Sequence, residues 1–460
     1  MLHRYKLFVR VCYVFRCQCL SYYALFLYRY STAGTPTITY DSEYDAESGV
    51  FKLTLSQTTN SEKPFHIPIS IGLIDKVTGE EVVPTTVLEL KESTQTFEFP
   101  GLKNGVIPSI LRGFSAPVKL VSAAGDIDEE SLAFLAARDT DGFNRWEAGQ
   151  RLFTSLVLQQ LDGKMSETTT NNVYEAFART LADSSMDSSI KAYALTLPSE
   201  STLAEELSGS AVDPVALHES RGAMRVAIAR KFEKELLSAY ESLSEDMAGK
   251  EFKVDAESVG KRRLRNTIMA YLTSIKESAE EQKSAAALAT SHYDTATGMT
   301  DEMAALNALA SMDGEGASAR DEILQKFYEE ANGDALVLNK WFSVQALADL
   351  PDVLDRVKGL IEHPDFTLSN PNRCRSLISA FTMNAAAFHA ANGDGYKFIS
   401  KSVADLDALN PQISSRLGRS LIQWRKYDEE RANLMKAELG KLSEMKLSDD
   451  LFEVVTLGLK

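Results

Sequence analysis

The sequence predicts a mainly α-helical protein with a small all-β domain, in which an antiparallel β-sandwich precedes an α-superhelix of HEAT/armadillo-like helix pairs. Hydrophobic and polar residues alternate from Thr35 to Leu120, which is typical of half-buried strands. After Gly125 the hydrophobic period changes to about 3.6 residues and continues to the C-terminus. Seven of the 13 prolines lie between Pro36 and Pro117, and proline is tolerated in loops and at sheet edges but not inside helices.

The length and charge of the chain exclude several classes of protein. The 460 residues are 44% hydrophobic and 25% charged, a globular composition that is long enough for two to four domains. The formal net charge is −16, with 65 acidic against 49 basic residues. Because this charge repels phosphate backbones, we expect no nucleic-acid partner.

Residues 1–33 form a leader that differs from the rest of the chain. The leader is apolar, aromatic and basic, yet Arg10 and Arg16 interrupt it, and the stretch 17–28 is shorter than the ~20 residues of a membrane-spanning helix. We therefore expect no membrane span. The leader also fits neither a signal peptide nor a transit peptide, which favours an unstructured or wrongly delimited segment.

The cysteines point to a reducing compartment. Three of the four lie in the leader, as Cys12, Cys17 and Cys19, and the remainder of the chain carries only Cys374. No internal disulfide framework can form there, so a cytoplasmic location is favoured, and an organellar one is open if the leader is genuine. The three leader cysteines lack a fourth ligand at zinc spacing, so we expect no metal site among them.

Residues 34–122 are predicted to form an immunoglobulin- or fibronectin-like β-sandwich of six or seven strands. The alternation is clearest in the segments 50–56 and 67–73. Turn-forming residues such as Asn104-Gly105 separate such segments at short intervals.

Residues 126–460 are predicted to form the helical domain. Asp213-Pro214 places a capping acceptor before a proline at the first helical position. Further helix boundaries are indicated at Asp255, Asn332-Gly333, Pro351, Asn370-Pro371, Asn392-Gly393 and Asn410-Pro411. A hydrophobic stripe with four-residue spacing follows Pro214 and predicts core packing rather than a cofactor site; it comprises Met224, Ile228, Phe232, Leu236 and Tyr240.

Motifs that carry hydrolytic chemistry are absent from the sequence. None of the six histidines is followed by another four residues later, which excludes the H-E-x-x-H zinc helix, and no G-x-S-x-G, P-loop or C-x-x-C motif occurs. We therefore expect no catalytic residue, metal ligand or cofactor in this chain. His218 is interpreted as a surface or capping residue. The basic run 261–265 is interpreted as a solvated face or an intramolecular salt-bridge surface rather than a polyanion site.

Two helix starts near the C-terminus form the candidate binding site. Asn370-Pro371 and Asn410-Pro411 each precede an arginine, so that free N–H groups and a helix N-terminus would lie beside a guanidinium group, an arrangement suited to carboxylates. Gln412 and Arg416 are four residues apart and share a helix face. A purely structural role for these residues is the alternative.

Short segments in a fixed order resemble the C-terminal half of bacterial-type aminopeptidase N, the zinc-dependent alanyl aminopeptidases of the gluzincin class. The resemblance extends from about Tyr30 to Lys460. The segments that carry it are 30–36, 114–118, 143–146, 263–266, 299–301, 340–342, 370–373, 388–389 and 425–428.

The resemblance implies an incomplete enzyme. In that family a catalytic domain precedes the β-sandwich and the helical superhelix, and it carries the zinc helix and the glycine-Ala-Met-Glu-Asn strand that binds the substrate's amine. Gly222-Ala223-Met224 imitates that strand, but Arg225 and Val226 replace its last two residues. The resemblance therefore implies no zinc in this chain and no activity of the chain alone.

The resemblance also implies a role in substrate binding. The helical domain would cap the cavity of a catalytic domain, supplied in cis or in trans, and Arg375, Gln412 and Arg416 match positions that face this cavity or its entrance. Peptides would thus be the substrate partner. The runner-up hypothesis is a stand-alone helical scaffold that binds peptides without enzymatic activity. A truncated gene model, a split subunit and a stand-alone paralogue are three open origins for such a chain.

Overall fold

The computed structural model describes residues 32–61, 63–123, 128–207 and 211–460. The predicted leader, including Cys12, Cys17 and Cys19, lies outside the described residues except for its last two positions. The chain divides into two compact units, which are Met1–Leu152 with Asn171–Thr180, and Phe153–Thr170 with Leu181–Lys460.

The first unit contains a β-sandwich, as the sequence predicts. One sheet has the strand order β5-β2-β1-β7 and the other the order β4-β3-β6. Its strands are β1 (Thr37–Asp45), β2 (Val50–Thr58), β3 (Ile67–Asp75), β4 (Glu81–Leu90), β5 (Thr94–Phe99), β6 (Val106–Ile110) and β7 (Lys119–Ser122).

Strand pairing is antiparallel except at β7, which pairs with β1 in parallel. The chain leaves β6 in one sheet, passes through a 3₁₀ turn at Arg112–Phe114, and enters the other sheet beside β1. Because β7 is not joined to β1 by a tight hairpin, its direction is free of the antiparallel constraint that a hairpin imposes.

The core of the sandwich lies between the two sheets. Strand β2 buries alternate residues, with Phe51, Leu53 and Leu55 at most 2% exposed, while Lys52 between them is exposed. Strand β3 alternates between buried and more exposed residues at its start and is buried continuously from Ile71 to Asp75. Each such aliphatic or aromatic side chain stabilises the fold by about 1.5–3 kcal/mol.

Three helices follow the sandwich: α1 (Glu129–Arg138), α2 (Gly142–Leu161) and α3 (Glu167–Ala182). Asp128 caps α1 by accepting a hydrogen bond from the N–H of Ser131 at 2.8 Å. Helices α2 and α3 each have residues in both units.

The remaining helices of the described chain belong to the second unit. Short 3₁₀ turns lie at Gly314–Gly316 and Leu421–Lys426, and a π-helical turn lies at Arg375–Ser379. The helices are α4 (Ser188–Leu195), α5 (Glu200–Glu206), α6 (Pro214–Lys231), α7 (Glu233–Met247), α8 (Ala256–Leu272), α9 (Ala279–Asp294), α10 (Met299–Ala310), α11 (Ala317–Glu330), α12 (Ala335–Ala346), α13 (Val353–Ile361), α14 (Pro371–Cys374), α15 (Ala385–Phe388), α16 (Asp394–Asp407), α17 (Pro411–Gly418), α18 (Glu429–Ser443) and α19 (Asp449–Leu459).

The hydrophobic stripe after Pro214 is buried, but it belongs to two helices rather than one. Phe232 leaves the helical region at φ −119°, so α6 ends at Lys231 and α7 begins at Glu233. The N–H of Phe232 still bonds to the carbonyl of Ile228, and its own carbonyl accepts from Leu236. A break of one residue therefore keeps the stripe on the core side.

Helices that are consecutive in sequence pack against each other, which is the arrangement expected for helix pairs. Such contacts join α7 to α8, α9 to α10, α11 to α12 and α18 to α19. A continuous hydrophobic core extends from Ala285 to Val455. Across the described residues, no helix combines the length and the hydropathy that a membrane span requires.

Candidate functional site

The first predicted helix start is capped by its own asparagine. The Oδ1 atom of Asn370 accepts the N–H groups of Asn372 at 2.9 Å and Arg373 at 3.3 Å. The helix that follows, α14, has only four residues. The expectation of free N–H groups is thus wrong for these two, because the asparagine side chain already satisfies them.

Two arginines at this start have opposite environments. Arg373 is 7% exposed, donates to the carbonyl oxygens of Asp365 and Ala335, and lies over the ring of Phe342. Arg375 is exposed and makes one long hydrogen bond, 3.4 Å, to a neighbouring asparagine. Of the pair, only Arg375 has a guanidinium group available to a ligand.

Arg375 is also the first residue of the π-helical turn. Such turns are rare and occur frequently at functional sites. Hydrophobic periodicity could not predict this turn, because a π-turn inserts one residue into a pattern that is too short here to reveal a shift.

The second predicted helix start presents Gln412 and Arg416. Asn410 caps α17 by accepting the N–H of Ile413 at 3.1 Å. Ile413 and Leu417 face the core, whereas Gln412 and Arg416 are exposed one helical turn apart. The guanidinium group of Arg416 has no hydrogen bond or ion pair with the described residues.

The three predicted binding residues are all exposed but do not bond to one another. No hydrogen bond or ion pair joins Arg375 to Gln412 or Arg416 among the described residues. The structure therefore leaves Arg375 separate from the Gln412–Arg416 pair.

His218 bridges two carboxylates of the second unit. Its Nδ1 atom lies 2.7 Å from Oε1 of Glu200, and its Nε2 atom lies 3.4 Å from Oδ1 of Asp349. Hydrogen bonds to Asp349 and Glu200 raise the pKa of His218 to about 10, so the imidazole is protonated at neutral pH. This histidine is a salt-bridge residue rather than a metal ligand.

Two other histidines are buried and neutral. Nδ1 of His292 lies 2.8 Å from the hydroxyl of Tyr240, and Nδ1 of His389 lies 2.8 Å from that of Tyr396. Burial lowers the pKa of both imidazoles to about 3. Within the described ranges, no three His, Cys, Asp or Glu side chains come together as a metal site would require.

The basic run 261–265 is largely engaged within the protein. Lys261 pairs with Asp246 at 2.8 Å and with Glu257 at 2.6 Å, and Arg265 pairs with the buried Asp301 at 2.8 Å. These residues match the interpretation of an intramolecular salt-bridge surface. Arg262 and Arg263, which lie between Lys261 and Arg265 in the sequence, form no ion pair with any described carboxylate.

One buried arginine of the first unit carries no recognisable signal in the sequence. Arg112 is 3% exposed and donates to Oε2 of Glu81 and to Oδ1 of Asp139, each at 2.8 Å. It anchors a turn in which Leu111 and Phe114 both have positive φ. Left-handed non-glycine residues are costly and cluster at functional sites, and here the turn presents Phe114 at 55% exposure.

Two family models match the chain. Residues 34–123 match a domain of unknown function, DUF3458, described as an Ig-like fold. Residues 129–460 match a second domain of unknown function, DUF3458_C, described as ARM repeats. Together they confirm the predicted fold class.

The relatives of the chain include several curated aminopeptidases. Aminopeptidase N of Escherichia coli is 34% identical over 449 residues, and that of Caulobacter vibrioides is 36% identical over 438. Each match covers 94% of this chain and 49% of the relative. The crystal structure of Legionella pneumophila aminopeptidase A in complex with aspartic acid is 28% identical, with a TM-score of 0.77, over 95% of this chain and 50% of that one. The chain thus spans about half the length of the relatives it matches.

Proposed function

We propose that this chain is the non-catalytic region of an enzyme that removes N-terminal residues from peptides. It belongs to the DUF3458_C family of ARM-repeat domains and corresponds to the C-terminal part of an aminopeptidase N. Its helical unit would cap the cavity in which the peptide is cleaved. The zinc ion and the residues that activate water would belong to the catalytic domain, which is the partner of this chain in cis or in trans.

Arg375, Gln412 and Arg416 would bind the C-terminal side of the peptide. The observation that carries this role is Arg416, an exposed guanidinium group without a hydrogen bond or ion pair to the described residues, in a chain of net charge −16. A guanidinium group donates two parallel hydrogen bonds to a carboxylate, and the neighbouring amide of Gln412 can donate a third. These residues orient the substrate and take no part in bond breaking.

The test is an active enzyme in which this chain replaces the corresponding half of Escherichia coli aminopeptidase N. Arg416→Ala should raise the KM for a peptide with a free C-terminus by about tenfold, since charge-assisted hydrogen bonds contribute about 1.5–3 kcal/mol. Hydrolysis of a small aminoacyl-anilide, which lacks that carboxylate, should change little.

Arg419→Ala is the matched control, because Arg419 is also exposed and without an ion pair among the described residues. It should leave both substrates unaffected. Equal losses on peptide and anilide in the Arg416 variant would contradict the proposed role.

Mixing this chain with a separately produced catalytic half distinguishes a subunit from a scaffold. Restored peptidase activity supports the capping role. A chain that binds a fluorescent peptide carboxylate more tightly than the matching C-terminal amide, yet never restores activity, supports the scaffold alternative.

A further inference from the structure

Four arginines from two helices line one cavity of the second unit. Arg221 and Arg225 lie one turn apart on α6, and Arg262 and Arg263 are adjacent on α8. The cavity has a volume of about 540 Å³, and every other described side chain that lines it is neutral. Such a volume is within the ~300–1,000 Å³ range of small-molecule sites.

None of these four guanidinium groups has a carboxylate partner among the described residues. Arg221 donates to main-chain carbonyls, including that of Pro198 at 2.6 Å, and Arg262 likewise donates to a main-chain carbonyl at 2.6 Å. Arg263 donates to a serine hydroxyl at 2.9 Å. Arg225 forms no hydrogen bond or ion pair with the described residues. The positive charge of the four arginines is therefore not neutralised by a carboxylate among the described residues of the cavity wall.

Two acidic residues that act on this charge already bond to another cation. Glu200 and Asp349 attract Arg221 and Arg225 over a distance, but both carboxylates bond directly to the protonated His218. Burial and the charge of Arg225 lower the pKa of Arg221, which shows that the two guanidinium groups repel each other. A bound anion would relieve this repulsion.

We propose that this arginine cavity binds a small oxyanion ligand that carries at least two negative charges. Phosphate and carboxylate groups each present a pair of oxygen atoms to which one guanidinium group can donate two parallel hydrogen bonds, and four guanidinium groups exceed the need of a single monovalent anion. Asn266 and the threonines of the wall supply further hydrogen-bonding groups. The site involves neither Arg375 nor the Gln412–Arg416 pair, and it goes beyond the proposed peptide-binding function.

The test is isothermal titration calorimetry of the recombinant chain with pyrophosphate and, separately, with citrate at constant ionic strength. Arg225→Gln should weaken binding by at least about tenfold, which is the loss expected for one charge-assisted contact. Because Arg225 has no hydrogen bond or ion pair with the described residues, its replacement should leave the circular dichroism spectrum unchanged and should not lower the unfolding temperature. Arg225→Lys keeps the charge without the fork and should show an intermediate loss.

Arg419→Gln is the matched control for the loss of one positive charge and should bind as the wild type does. Binding of pyrophosphate alone assigns the site to phosphates, binding of citrate alone assigns it to polycarboxylates, and either result supports the proposal. No binding of either anion at about 1 mM, or equal losses in the Arg225 and Arg419 variants, would overturn it.

Discussion

Replacing Arg112 by methionine should destabilise the first unit at neutral pH by about 3–5 kcal/mol, which is the usual effect of removing one partner from a buried ion pair. The Arg112 side chain is 1% exposed, and the side chains of its partners Glu81 and Asp139 are 20% and 0% exposed. Methionine fills part of the space but leaves two carboxylates without their cation. A loss of this size is a large fraction of the ~5–15 kcal/mol that stabilises a typical protein.

The assay is hydrogen exchange with mass spectrometry across a urea series. Peptides from β3, β4 and β6 should unfold about 2 M earlier in the variant, from ~4 kcal/mol divided by a slope of about 2 kcal/mol per molar urea. Peptides from α16 to α19 serve as the internal control and should keep their midpoint.

The pH dependence and a second variant test the electrostatic origin of the loss. Burial raises the pKa of Asp139 above its usual value, so the folded state favours the neutral carboxyl, and its charged form costs stability above that pKa. Without Arg112, the loss of stability caused by the charged Asp139 carboxylate increases. This loss should become smaller as the pH falls through the raised pKa, because the carboxyl group then becomes neutral. Asp139→Asn in the Arg112→Met background should recover part of the loss. A midpoint unchanged in Arg112→Met, or no recovery in the double variant, would refute the reasoning.

Three further changes have defined outcomes. Because the pKa of His218 is raised to about 10, its charge stabilises the fold fully below about pH 6.5, and this stabilisation is lost as the pH rises through about 10. Calorimetry should therefore show that the difference in unfolding free energy between the wild type and His218→Gln decreases over this pH range. A constant difference would contradict the argument. Asn410→Ala should lower the free energy of unfolding in urea by about 0.5–2 kcal/mol, whereas Asn410→Asp should keep most of the stability that the cap provides. In Gly72→Ala the new Cβ would lie 2.2 Å from Cζ of Arg112, so the unfolding temperature should fall, whereas Gly149→Ala, with open space around it, should not lower it.

The alternation of β2 and the stripe of α6 and α7 could be predicted because burial on one face imposes a local period. Two features of the fold could not. The parallel pairing of β7 with β1 joins segments about 80 residues apart, and no period within either strand specifies its partner. The helix break at Phe232 could not be predicted from the sequence, because the hydrophobic residues have the same spacing on both sides of it.

At the candidate site, spacing predicted that Gln412 and Arg416 share an exposed face, since both lie in one helix. Spacing could not distinguish Arg373 from Arg375. Both follow the same Asn-Pro start, but Arg373 is drawn inward by the ring of Phe342 and by carbonyl groups that come from distant parts of the chain. For the arginine cavity, the sequence of the run 261–265 favoured a solvated or salt-bridge surface over a polyanion site. The second half of the cavity was missed because it is about 40 residues away and meets the run only where α6 packs on α8.

The partners of an arginine, rather than its position in a motif, therefore indicate what it does in this acidic chain. With 65 carboxylates against 49 basic side chains, an arginine readily finds an internal partner, and those at Arg112 and Arg265 are buried with their carboxylates. A guanidinium group without a carboxylate partner lacks a contact that this acidic composition makes easy to form. Within the part of the chain that the structure describes, Arg225 and Arg416 have no such partner, and each lies next to other polar groups that can donate hydrogen bonds to an anion. A bound anion would supply, at both proposed sites, the partner that these two arginines lack among the described residues.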